Sequence, residues 1–146
     1  KRAANATPDE GIPTPVTDCS NYIKKTIKQL WQNQWNQYDG HLRTIHTSID
    51  KWSYPSSLNR RQQSVLCRLR IGHCKLTHSY LLSGGSRPRC TQCNVRLTVG
   101  HLLIECQQYS DIRRQLCMPR NTKTLLSDEW QKVLMFLSRT NTFFAI

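Results

Sequence analysis

Cys90-Thr91-Gln92-Cys93-Asn94-Val95-Arg96-Leu97-Thr98-Val99-Gly100-His101-Leu102-Leu103-Ile104-Glu105-Cys106 is the stretch from which the rest of the chain can be understood. Two cysteines separated by two residues let both sulfurs converge on one ion. His101 and Cys106 follow and complete a set of three thiols and one imidazole, the borderline-soft donors of tetrahedral zinc sites. Protein donors fill all four positions and no coordination site is left for water, so one Zn²⁺ is expected here in a structural, not a catalytic, role. If the residues after Gly100 are helical, His101 and Cys106 diverge by about 140° on an ideal α-helix. The helix must therefore loosen or end near Cys106 for the site to close. Three thiolates around Zn²⁺ leave a single net negative charge, and Arg87, Arg89 and Arg96 stand close enough in sequence to stabilise it.

Outward from this segment the charge pattern is uneven. The chain has 146 residues, a length that suits one domain, and carries 21 Lys/Arg against 9 Asp/Glu for a formal net charge of +12. Residues 1–50 hold six basic and five acidic side chains, and residues 105–146 hold six and four. Between Lys51 and Ile104 there are nine Lys/Arg and no acid. The surplus thus coincides with the cysteine motif and points to phosphate-rich partners or anionic membranes. Arg60, Arg61, Arg68, Arg70, Lys75, Arg87, Arg89 and Arg96 are the candidate phosphate contacts; the alternative is a merely solvated basic face. Hydrophobic residues make up 38%, so a small core is expected to need a metal or a partner. No apolar run approaches the roughly 20 residues of a membrane span, and Lys1 to Gly11 contains no apolar stretch of signal-peptide type. Seven cysteines without such a signal argue for reduced thiols or metal ligands and for a nuclear or cytoplasmic setting.

Periodicity predicts an all-α fold with a small metal-organised loop and an extended N-terminal linker. Pro8, Gly11, Pro13 and Pro15 mark residues 1–17 as that linker, and residues 18–146 as the helical domain. Asp18 or Ser20 is expected to cap a helix that buries Tyr22, Ile23, Ile27, Leu30, Trp31 and Trp35 on one face and ends at Asp39-Gly40. Leu42 to Asp50 is ambiguous. From Leu58 a second amphipathic helix places Val65, Leu66 and Leu69 inside and fans Arg60, Arg61, Arg68 and Arg70 outward. A short helix is expected around Lys75 to Leu82, a loop at Ser83-Gly84-Gly85, and a further helix running to Leu116 and stopped by Pro119. Ser127-Asp128-Glu129 predicts a capped start for a last helix, with Val133, Leu134, Phe136 and Leu137 buried.

Other residues carry weaker signals. Cys67, His73, Cys74 and His78 offer a second donor set, but their spacing fits hydrogen-bonded structural histidines or phosphate contacts better. Cys19 and Cys117 read as small core fillers. Trp31 and Trp35 belong to an apolar stripe, whereas Trp52, beside Tyr54 and Pro55, is the better candidate for an exposed aromatic that stacks on bases. Metal-dependent nucleases gather several carboxylates, while Asp9, Glu10 and Asp18 lie at the linker and the other acids are scattered. No catalytic residues and no small-molecule site are therefore assigned.

Leu66-Cys67-Arg68-Leu69-Arg70-Ile71-Gly72-His73, then Leu76-Thr77-His78 and Tyr80-Leu81-Leu82, resembles the tail of non-LTR retrotransposon reverse transcriptase polyproteins of the jockey and I-factor type. In that family such a segment precedes a Cys-Cys-His-Cys motif, matched here by Cys90, Cys93, His101 and Cys106. Val133 to Leu137, continued through Thr140-Asn141 to Ile146, is similar to the end of those polyproteins. Lys1-Arg2-Ala3-Ala4 looks like the last turn of their RNase H domain. The resemblance implies a piece of a larger enzyme without its catalytic centres. It also implies a zinc region that holds element RNA or target DNA during target-primed reverse transcription, in a nuclear or cytoplasmic ribonucleoprotein. Two readings remain in competition: a nucleic-acid clamp, and a structural module that docks on the upstream domains. Basic side chains converging on one groove favour the first, and a large exposed apolar patch favours the second.

Overall fold

The structure, a computed structural model, describes residues 15–52 and 54–146. Residues 1–14, and with them most of the expected linker and the RNase H-like turn, lie outside the described part. The described chain is helical, with α1 (Val16–Gln37), α2 (His41–Ile45), α3 (Arg60–Ile71), α4 (Lys75–His78) and α5 (Tyr80–Ser83) before the cysteine segment. A π-helical turn (His101–Glu105), a 3₁₀ turn (Gln107–Tyr109), α6 (Ser110–Gln115), α7 (Thr122–Ser127), α8 (Trp130–Arg139) and a last 3₁₀ turn (Phe143–Ala145) follow.

Helix α3 starts and stops for local reasons. Asn59 Oδ1 accepts from the Gln62 amide at 2.9 Å, and Gln62 Oε1 accepts from the Asn59 amide at 3.0 Å, a reciprocal cap that satisfies two otherwise orphaned donors. At the other end Gly72 turns left-handed (φ 83°), and its amide donates to the carbonyls of Arg68 and Leu69. A side chain there would be strained twice, because a Cβ would also meet the His41 ring at 3.0 Å. The buried face of α3 is Val65, Leu66 and Leu69, as the spacing predicts, joined by Arg70. These residues share one core with Ile45 of α2, Leu125 and Leu126 of α7, and Val133, Phe136 and Leu137 of α8.

Three expectations about the elements are corrected. Ser127 does not cap α8: it ends α7, and its hydroxyl donates to the Ile45 carbonyl at 3.2 Å. The cap lies earlier, where Asn121 Oδ1 accepts from the amides of Lys123 (2.8 Å) and Thr124 (3.4 Å) and opens a short helix the periodicity did not predict. Helix α1 begins at Val16 behind Pro15, ahead of Asp18 and Ser20, and makes no side-chain cap. Its apolar stripe is real but not buried, since Tyr22, Ile23, Ile27, Leu30 and Trp31 are all exposed. Among the described residues its second half is the part held, by polar contacts: Trp35 Nε1 to the His46 carbonyl (3.0 Å), Gln32 to Thr47 and Ile49, and Lys28 to Asp50. Cys19 and Cys117 are exposed rather than core fillers. Trp52 is not a free aromatic either; it is half-buried, stacked on His46 at 4.5 Å between ring centroids.

Candidate metal centre and basic surface

A tight reversal positions the two leading cysteines. The Leu97 amide reaches the Pro88 carbonyl (3.0 Å), the Cys90 amide the Val95 carbonyl (2.8 Å), and the Asn94 amide the Cys90 carbonyl (2.8 Å). Asn94 takes the left-handed conformation (φ 52°) that asparagine tolerates better than most residues, and Arg89 pairs across the reversal with Arg96. The second pair is positioned by a different device. Thr98 Oγ1 accepts from the His101 amide at 3.0 Å, and the chain then widens so that the Cys106 amide bonds the His101 carbonyl at 2.8 Å. A bond spanning five residues closes a π turn, in which residues five apart lie one above the other. The helix both loosens and ends, since Cys106 itself is extended (ψ 120°). This answers the divergence that an α-helix imposes.

The result is a cluster in which the ligand atoms of Cys90, Cys93, His101 and Cys106 all lie within 4.8 Å of one another. Cys90, His101 and Cys106 are buried and Cys93 is half-buried. His101 Nε2 is buried with no hydrogen-bond partner, while Nδ1 faces Glu105 at 3.5 Å. An orphaned imidazole nitrogen beside three sulfurs, with its other nitrogen facing a carboxylate, is what a metal-ligating histidine needs. The thiols are electrostatically unlike. The Cys93 amide foremost holds Cys90 below the ordinary thiol range, whereas burial, then the Cys90 thiol, push Cys106 above it. The two sulfurs are 3.6 Å apart, so without a cation only one of them ionises readily. A divalent cation of zinc type removes that conflict, and the donor set fits it.

Arg113 is the residue the sequence reading missed. Its guanidinium donates to the carbonyls of Cys106 and of Leu102 (3.4 Å), pinning the end of the π turn next to the sulfurs. It is the nearby cation expected earlier of Arg87, Arg89 and Arg96. Those three are exposed and turned elsewhere: Arg89 bonds Asn94, and Arg87 lies over the Tyr80 ring at 5.6 Å. Nothing in the spacing from Cys106 to Arg113 signals this contact.

The remaining basic candidates divide. Arg60, Arg61, Arg68 and Lys75 are exposed, although Arg61 lies over the Phe144 ring (4.6 Å) and Arg68 Nη1 donates to the main-chain oxygen of Ile146 (2.9 Å). Arg70 is buried, and its assignment as a phosphate contact is corrected. It stacks on Trp52 (3.9 Å) and Tyr54 (4.9 Å), and its Nε donates to the Leu126 carbonyl at 2.9 Å. His73 and His78 pack ring on ring, 3.9 Å between centroids, and both line two adjoining clefts. One, of about 800 Å³, also takes in Arg68 and Lys75. The other, of about 390 Å³, takes in His41 and Arg96. No acid lines either. Burial foremost, then the charges of His73, Arg96 and Arg87, hold His78 below the ordinary histidine range. The second donor set does not assemble: Cys74 is buried against the Thr77 hydroxyl (3.4 Å), Cys67 is exposed, and the four-residue cluster is the one group with metal-ligand geometry among the described residues.

The chain is therefore a helical protein with one three-cysteine, one-histidine cluster arranged as metal ligands. No family model matches it, and no curated protein or solved structure matches it either.

Proposed function

We propose that this chain is a zinc-organised nucleic-acid-binding module, in which Cys90, Cys93, His101 and Cys106 hold one structural Zn²⁺. The observation that carries the reading is the gathering of Arg68, Lys75, Arg96 and the His73–His78 pair around two acid-free clefts. These residues lie in the acid-free stretch between Lys51 and Ile104. Phosphodiester backbones are the polyanions such a face suits, through contacts that position without reading sequence. On this reading Arg60, Arg61, Arg87 and Arg89 extend the contact surface and Arg70 supports it from inside.

The wider reading places the module at the C-terminal side of a non-LTR retrotransposon reverse transcriptase, in the nucleus or a cytoplasmic ribonucleoprotein. There it holds element RNA or target DNA and sits next to the upstream domains of the same polyprotein. That reading rests on the resemblance of residues 66–82 and 90–106. The test is binding of the zinc-loaded chain to RNA, single-stranded DNA and duplex DNA across a salt series. Each neutralised duplex phosphate contributes about −0.9 to the slope of log K against log salt, so four to six contacts give roughly −4 to −5. Arg87→Gln with Arg96→Gln should lower the slope by about one unit per lost contact while zinc stays bound. A second reading, a module that docks on another protein domain, is favoured by the exposed apolar stripe of α1. It gains if binding to all three nucleic acids is absent.

A further inference from the structure

A further basic cleft adjoins the π turn. A cavity of about 680 Å³ lies between the turn, at Ile104 and Glu105, and the segment around Arg113, Arg114, Cys117 and Arg120. Three guanidinium groups thus face one space, with Glu105 the one acid in its lining. Their commitments differ. Arg113 is half-buried and bound to the Leu102 and Cys106 carbonyls, so it forms the wall towards the sulfurs. Arg114 is exposed and pairs loosely with Asp111, 3.4 Å away at the surface. Arg120 is exposed and makes no ion pair with a described acid.

The position of this cleft matters as much as its charge. The cleft around His73 and His78 takes in Arg96 to Gly100, and this one takes in Ile104, Glu105 and Gln107. Between them run the buried residues His101, Leu102 and Leu103. The metal segment therefore has a basic cleft at each end. We infer that the cleft at Arg113, Arg114 and Arg120 is a second phosphate site, taking a backbone phosphodiester of the nucleic acid. Arg114 and Arg120 contact the phosphate oxygens, and Arg113 holds the wall. This rests on the nucleic-acid reading above and extends it to a face outside the acid-free stretch.

Cys117 lines the cleft and is exposed, which makes it a reporter, and Cys19 on α1 is an exposed control. The zinc-loaded chain is alkylated with N-ethylmaleimide, with and without a short single-stranded RNA, and modification is followed cysteine by cysteine by mass spectrometry. RNA should slow alkylation of Cys117 several-fold and leave Cys19 unchanged. Arg114→Gln with Arg120→Gln, at two exposed positions, should abolish that protection and reduce the duplex-DNA salt slope by roughly two units with zinc content unaltered. Lysine at both positions should restore the slope.

Equal alkylation of Cys117 with and without RNA, when Arg87→Gln with Arg96→Gln still lowers the slope, overturns this site and leaves the broader reading standing. Protection by millimolar inorganic phosphate but not by RNA also overturns it, leaving a small-phosphate site. Absence of RNA and DNA binding altogether defeats both. The footprint on the unaltered chain decides the matter even if the double variant folds poorly.

Discussion

Replacing Arg70 by methionine separates a structural arginine from a phosphate-binding one. The side chain keeps its apolar body but loses a guanidinium stacked between Trp52 and Tyr54 and bonded to the Leu126 carbonyl. A desolvated cation–π stack contributes about 2 kcal/mol, and a hydrogen bond from a charged donor about 1.5–3 kcal/mol. Against this, Arg70 Nη1 is buried without a partner, and removing an unsatisfied polar group returns about 1–3 kcal/mol. The difference is a destabilisation of about 2 kcal/mol, close to 1 M in urea midpoint for a small domain. Zinc-loaded wild-type and Arg70→Met proteins would be unfolded in urea, followed by tryptophan fluorescence, and their duplex-DNA salt slopes compared. The expected outcome is a lower midpoint and an unchanged slope. An unchanged midpoint with a slope reduced by about one unit would mean that Arg70 reaches phosphate, and the packing argument would be refuted.

Protein purified without chelator should contain about one equivalent of zinc, which Cys93→Ser with Cys106→Ser should eliminate; full zinc content in that variant would remove the metal assignment. Because Cys106 is held above the ordinary thiol range, its proton must leave when metal binds, so zinc affinity should rise about tenfold per pH unit for each proton released around neutrality. Competition against a chelator whose own pH dependence is known reads this, and a flat profile would contradict the thiolate ligation of Cys106. His78, held below the ordinary histidine value, should be neutral at pH 7 and titrate below 6.5 in the free protein. Since the unfolded chain then binds the proton more readily, this group works against stability as pH falls through 6.5. Bound RNA should raise the NMR titration midpoint of His78, and a midpoint insensitive to RNA would place the histidine pair outside the phosphate face. Asn59→Ala should cost about 1 kcal/mol by removing the reciprocal cap of α3.

The ligand set was legible because cysteines two apart have few other uses, and the local geometry does bring all four donors together. The need for a loosened helix was legible too, from arithmetic alone, although not that the loosening takes the form of a π turn. The core of α3 and α8 followed from apolar spacing, which reports a real face in both. The same spacing misled in α1. Periodicity shows that a face is apolar, not that it is covered, and among the described residues the α1 stripe stays exposed. Arg70 was misread for a related reason: charge suggests solvent, and only the tertiary contacts with Trp52, Tyr54 and Leu126 show the guanidinium inside. The arginines of the cleft at Arg113 to Arg120 are neighbours in sequence, but the bonds of Arg113 to the Leu102 and Cys106 carbonyls depend on the π turn, and no linear signal precedes them.

That turn also bears on what kind of centre the proposed zinc would make. Its five residues include Leu102 and Leu103, both fully buried in the same core as α3, α7 and α8. The two leucines sit between the ligand residues His101 and Cys106, so a bound ion would be tied to side chains on which the helices rest. A zinc centre built this way, as proposed, would be unsuited to storing or passing on its ion, because every exchange would take it through a partly unfolded state. On the zinc proposal, occupancy would be settled when the chain folds, because the binding energy of a structural ion is folding energy.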